Sequence, residues 1–261
     1  MEIRWLGTAG FDIRTCDSRF LIDPYVSRNP QAEPVQPLTP ADLAGADRIF
    51  VSHGHFDHLM DLPEILEQDP EKPSLVFCSS TAADILEKRG VSPSRIYRVT
   101  QNSIGVRFGY VSARACFGRH IRFDLPLMAA TLARINIRFF HILPLFTGYP
   151  CGQVLSWRFF LEGKTIQHLG SSGAASEELA NMDPPDILML SLQGHSHICR
   201  IAAAHVRRLK PQTVIVHHHD NFYPPISRTV DIAPFVEQVN QECPHTRVIV
   251  PQMNTPITIC T

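Results

Sequence analysis

The stretch "RIFVSHGHFDHLMD", residues 48–61, joins a short apolar run to three histidines and two aspartates between His53 and Asp61. A chain built around it must end a buried strand there and gather several polar side chains where that strand stops. His53 and His55 are two apart, so in an extended segment both project to the same side. Gly54 lets the backbone bend close to whatever they hold. Asp57 and His58 follow at the turn into "HLMDLPEILEQD", which has helical spacing. Neutral imidazole and carboxylate are good ligands for a divalent ion such as zinc or manganese. So short a segment can hardly wrap all four groups around one ion. H-x-H-x-D-H more naturally feeds two adjacent sites, one taking His53 and His55 and the other Asp57 and His58.

The flanking sequence supplies the strands. "EIRWLG" and "FDIRTC" alternate, and "RFLIDPY" is an apolar run stopped by Asp23-Pro24. "SLVFCS", "RIYRV" and "GVRFGYVSARACFG" follow, and a second set comes after residue 150: "GQVLSWRFFLEG", "TIQHLG", "DILMLSL", "QTVIVHHH", "RVIV" and "PITIC". "STAADILEKRG", "ICRIAAAHVRRL" and "TVDIAPFVEQVNQE" have helical periodicity. Both halves mix sheet and helix without an internal repeat or linker. The expectation is one α/β (α+β) domain over residues 1–261, two packed sheets with helices outside.

A composition of 44% hydrophobic and 19% charged residues is enough for a real core. A net charge of -1 with no basic stripe argues against a nucleic-acid binder. The seven cysteines are odd in number, scattered and without a C-x-x-C pair, which points to free thiols in a reducing cytoplasm. The start "MEIRWLGTAG" goes straight into strand-like sequence and does not read as a signal peptide. No apolar run reaches the ~18 residues that span a bilayer.

H-x-H-x-D-H, with the lead-in "IRWLGTAGFDIRTCDSRFLIDPY", resembles the metallo-β-lactamase superfamily. Within it the chain is similar to the branch of L-ascorbate-6-phosphate lactonase and the N-acyl-phosphatidylethanolamine phospholipase D enzymes. The resemblance implies a four-layer αββα sandwich with metals at one edge, between the sheets. It implies three further ligands: His120 after the strand in "ACFGRH", completing the first site; His218 in "VIVHHHD"; and an aspartate bridging both metals. His217 and His219 are expected to shape the pocket or support the site from behind, and Asp23 to support it from behind. At the bridging position this chain departs, because "TIQHLG" runs into Ser171 and Ser172. A serine hydroxyl brings no charge and ligates poorly, so one or two ions, zinc or manganese, are expected.

By the same resemblance a divalent ion generates hydroxide near neutral pH, with Asp57 orienting the water. His195 and His197, ahead of a helix, are candidates for general acid or anion contact. Arg119 and His141 are candidate substrate contacts. The apolar stretch 122–152 is read as a core helix with a loop over the sandwich; the alternative is a lid or groove for an acyl chain. The leading function is hydrolysis of an ester, lactone or phosphoester of a small molecule. The alternatives are a phospholipase D-like hydrolase of lipid phosphodiesters, with membrane contact, and a non-enzymatic metal or ligand binder. The oligomeric state is left open.

Overall fold

The computed structural model describes residues 1–68, 74–135 and 139–259, with the side chains of 139–142 and Ser176 excepted. Its first sheet contains β1 (Glu2–Gly7), β2 (Gly10–Arg14), β3 (Arg19–Ile22), β4 (Arg48–Phe50), β5 (Leu75–Ser79) and β6 (Ile96–Val99). The second contains β7 (Ile104–Phe108), β8 (Val111–Gly118), β9 (Val154–Leu161), β10 (Lys164–His168), β11 (Ile187–Ser191), β12 (Thr213–His217) and β13 (Arg247–Ile249). β14 (Pro256–Thr258) returns to the first sheet, giving the order β14-β1-β2-β3-β4-β5-β6 against β13-β12-β11-β10-β9-β8-β7. Each sheet is mixed: β3 to β6 run parallel, as do β10 to β13, and the remaining pairs are antiparallel.

Period-2 alternation sends neighbouring side chains to different layers. On β4, Phe50 enters the core between the sheets while Ile49 faces outward. On β12, Ile215 points between the sheets, and Val214 and Val216 point out. The inter-sheet core is aromatic. Phe50 lies 4.9 Å from Trp157, 5.0 Å from Phe159 and 5.2 Å from Phe77, ring centre to ring centre. Such offset and edge-on pairs add to the burial of large rings.

Helices cover both outer faces, so the layers run αββα. α1 (Phe56–Leu59), α2 (Leu62–Glu67) and α3 (Ser80–Lys88) bury Leu59, Leu62, Ile65, Ala82 and Leu86 on the first sheet. α3 starts at Ser79, whose hydroxyl accepts the Ala82 amide. α7 (Ile198–Leu209) and α8 (Ala233–Glu242) cover the second sheet through Ala202, Val206, Leu209, Phe235 and Val239. The short α6 (Ser176–Ala180) lies between β10 and β11 in the chain.

The stretch 122–152 departs from the expected core helix. It forms α4 (Leu125–Ile135) and α5 (Phe139–Gly148), and in α4 only Ile135 is buried. Leu125 and Leu132 are 76% and 63% exposed, and Phe123, Met128, Leu143 and Phe146 also face outward. Apolar composition is the same in a core helix and in a helix lying on a surface, so sequence alone cannot tell them apart.

Candidate metal centre

The site forms where strands of both sheets end. β4 runs into Val51, Ser52 and His53, and the second sheet comes down onto this segment. The Trp157 indole donates to the Val51 carbonyl (3.1 Å), the Leu155 amide to Ser52 (2.7 Å), and the Gly54 amide to Cys151 (2.8 Å). A Cβ on Gly54 would lie 2.2 Å from the Pro150 carbonyl oxygen, so only glycine permits this approach. Gly173 does the same for the other wall, since its Cβ would meet the backbone of Arg119 and His120.

Two donor groups result. His53, His55, His120 and Cys151 place one ligand atom each within 4.8 Å of one another, and so do Asp57, His58 and His218. His53 Nε2 lies 3.0 Å from His55 Nδ1. Two imidazole nitrogens on one tetrahedral zinc, at bonds of about 2.0 Å, are about 3.3 Å apart, so the spacing suits a shared cation. The His53 and His58 rings are 3.9 Å apart, so the two groups adjoin. The donors therefore fit divalent ions.

Four of the five donor rings, all but His55, are held by one nitrogen, leaving the other for the centre. His120 Nδ1 contacts the Ile121 carbonyl at 2.7 Å. His218 Nδ1 contacts Gln193 Oε1 at 2.9 Å. His58 Nδ1 lies 2.8 Å from Asp23 Oδ2. Asp23 also accepts the Ser52 amide and hydroxyl, each at 2.6 Å, and the same hydroxyl is 2.9 Å from His53 Nδ1. One carboxylate thus orients a ring in each group. Asp23 adopts φ +43 and His218 φ +57, left-handed conformations that non-glycine residues enter at a cost. His218 is fixed there by its amide, which donates to the Thr8 carbonyl. Thr8 is itself held through its amide by Asp220, a buried partner of Arg28 at 2.6 Å.

Burial keeps the rings of His53, His55 and His120 neutral, the form that ligates. It lowers His53 well below the ordinary value, His55 to about 4, and His120 also. His58 differs: burial opposes its charge, but Asp23 and Asp57 outweigh it and raise the pKa. Burial alone would raise Asp57; His58 and His218, whose Nε2 is 3.2 Å from Asp57 Oδ2, lower it instead. Burial pushes the Cys151 thiol up to about 11, with Asp57 adding to the effect.

The other expected residues divide. Ser171 is buried after β10, and its hydroxyl accepts the Ile121 amide at 3.0 Å, bracing the segment that carries His120. His217 is fully buried. It stacks on His168 at 5.0 Å and packs edge-on to Phe11 at 5.3 Å. His219 stacks on Trp5 at 5.1 Å. The sequence reading had both shaping the pocket or supporting the site from behind. Asp23 was expected there with them, and the contacts to donor rings come from Asp23, Ser52 and Gln193. Arg119 is paired with Glu178 at 2.7 Å. The side chain of His141, on α5, lies outside the described part.

His195 lines a cavity of about 610 Å³ together with His120, Arg119, Arg122, Ser172 and Ile201. Its Nδ1 accepts the His197 amide at 3.0 Å and lies 3.8 Å from Asp124. His197 does not line the cavity and makes no side-chain cap on α7. Sequence reasoning missed Cys151, Gln193 and Asp124. Gly54, read from the sequence as a bend towards whatever the histidines hold, is where residues 150 and 151 come close.

Comparison with known proteins agrees with this arrangement. A family described as "Beta-lactamase superfamily domain" matches residues 18–219. A "UPF0173 metal-dependent hydrolase" of Methanobrevibacter smithii is 29% identical over 92% of this chain and 90% of its own. Another, of Carboxydothermus hydrogenoformans, is 31% identical over 88% of this chain and 89% of its own. Among solved structures, a metallo hydrolase from Ignicoccus hospitalis superposes with a TM-score of 0.71 at 18% identity, covering 100% of this chain and 98% of that one. With the fold and both donor groups in place, the chain belongs to the β-lactamase superfamily and, within it, to the UPF0173 metal-dependent hydrolase family.

Proposed function

We propose that the protein is a hydrolase with a two-ion centre, His53, His55 and His120 serving one ion and Asp57, His58 and His218 the other. The observation that carries this is the adjacency of the two groups, their nearest rings 3.9 Å apart. Zinc suits a set dominated by imidazole; manganese prefers more oxygen. When bound, such ions bring water's pKa towards neutrality and polarise the oxygen under attack.

The chain's own groups supply the rest. Asp57 stays ionised, so its carboxylate orients water and accepts a proton from it. His195 Nδ1 accepts a backbone N–H, which leaves Nε2 to face a leaving oxygen or an anionic group. Because His195 lines the cavity and His197 does not, His195 is the better placed of the two candidates. The cavity has the size of a small-molecule site. With Arg119 already paired, Arg122 and His195 are left to meet an anionic group. The substrate class is an ester, lactone or phosphoester.

Elemental analysis of the untagged protein, with turnover on a panel of such substrates before and after chelation, tests the reading. Two equivalents of metal are expected, with activity lost on chelation and restored by zinc. A chain that holds no metal after supplementation would sink it.

The exposed apolar side of α4 favours a second reading, hydrolysis of lipid phosphodiesters at a membrane surface.

A further inference from the structure

We infer that Cys151 is a ligand, its thiolate completing the first ion's shell beside His53, His55 and His120. This deepens the two-ion reading and rests on it.

Cys151 is not a lone thiol. Its sulfur belongs to a set of four donors within 4.8 Å of one another, contributed by three separate chain segments. Its position is set by the backbone. Residues 151–157 run alongside 51–54, held by the bonds Trp157–Val51, Leu155–Ser52 and Gly54–Cys151. The last of these joins the residue between two of the histidines to the cysteine itself. Gly152, at φ +65, turns the chain directly afterwards, and a Cβ there would strike Thr81. Three bonds and the Gly152 turn thus fix where the Cys151 backbone lies.

Charge gives the reason for a thiolate. The second group contains Asp57, whereas the first offers three imidazoles, which ligate as neutral bases, and no carboxylate. Ser171, at the position where the resemblance expects the bridging aspartate, has its hydroxyl engaged by the Ile121 amide. A thiolate supplies the missing negative charge, and three nitrogens with one sulfur fill a tetrahedral zinc shell. Binding converts Cys–SH and a divalent ion into the metal thiolate and one proton released to solvent; nothing is oxidised or reduced. A shell closed in this way is saturated, so the open coordination position would belong to the second ion. That assigns a holding role to the first and the chemistry to the one beside Asp57.

The test uses cobalt(II) in the chelated, full-length protein and in Cys151→Ser. The expected result is a sulfur-to-cobalt charge-transfer band in the near ultraviolet that is present in the unmodified chain and lost in the variant. First-site affinity should fall by at least about tenfold. Because the variant could misfold, a second measurement uses the unmodified chain alone: alkylation at Cys151, read by peptide mass mapping, should be blocked by zinc and restored by chelator. Bound cobalt with the same spectrum in both chains, or alkylation of Cys151 indifferent to zinc, would overturn the thiolate while leaving the two-ion centre standing. Failure of the unmodified chain to bind cobalt or zinc would overturn both.

Discussion

Asp12 and Asp23 are both buried carboxylates of the first sheet, yet they do different work. Asp23 spends its oxygens on Ser52 and His58 and so orients the donors. Asp12 gathers Arg4 at 2.5 Å, Arg19 at 3.0 Å and Arg14 at 3.4 Å, away from the site. Burial alone would raise its pKa, and the three guanidinium groups outweigh burial and lower it. A carboxylate depressed in the folded state stabilises above its unfolded pKa, about 4. The contribution is lost as pH falls through the folded value. Asp12→Asn should therefore cost roughly 2 kcal/mol at pH 7. The gap from the parent chain should close below about pH 4. Urea unfolding across pH reads both, and a gap that persists in acid would count against the ion pairs. The Asp12 cluster was not legible, whereas Asp23 was expected behind the site. Asp23 stood out by ending an apolar run, but its left-handed backbone and the ring it orients come from the fold.

Among the elements, the loop from β4 into α1 was the most readable, because its donors are contiguous and strand geometry puts His53 and His55 on one side. The strands of both sheets and helices α3, α7 and α8 followed from periodicity. Cys151 did not, since nothing local distinguishes it from the other thiols; only the docking of residues 151–157 against 51–54 brings it in. Gly54→Ala tests that docking at the level of the two segments. Its methyl would be forced against the Pro150 carbonyl. The segments must part, at a cost on the order of 2 kcal/mol. One metal equivalent should be lost by elemental analysis while the Asp57 group keeps its own. Full metal content in this variant would show that the close approach is not needed.

At the scale of the molecule, the αββα layering hides most large apolar side chains among the described residues, and many of those left exposed lie between Phe123 and Phe146, on and around α4. Among the described residues, no helix is long and apolar enough to cross a membrane. The choice between a small-molecule and a lipid substrate therefore turns on surface contact. If lipid is the substrate, the protein should float with phospholipid vesicles, and Leu125→Asp combined with Leu132→Asp should abolish flotation without changing turnover of a soluble ester. A parent chain that stays at the bottom of the gradient returns the choice to small molecules. This exposure was invisible in the sequence, since hydrophobicity is a property of the residue and covering is a property of the neighbours.

The donors themselves are split between the two sheets. His53, His55, Asp57 and His58 follow β4 of the first, while His120 follows β8 and His218 follows β12 of the second. A cation held between them acts as a rivet through the sandwich, gripping only while the two halves stay clasped. Each tenfold rise in free ion above its dissociation constant would then tighten the clasp by about 1.4 kcal/mol. The lifetime of this protein would rise and fall with the metal supply around it, quite apart from any reaction it performs.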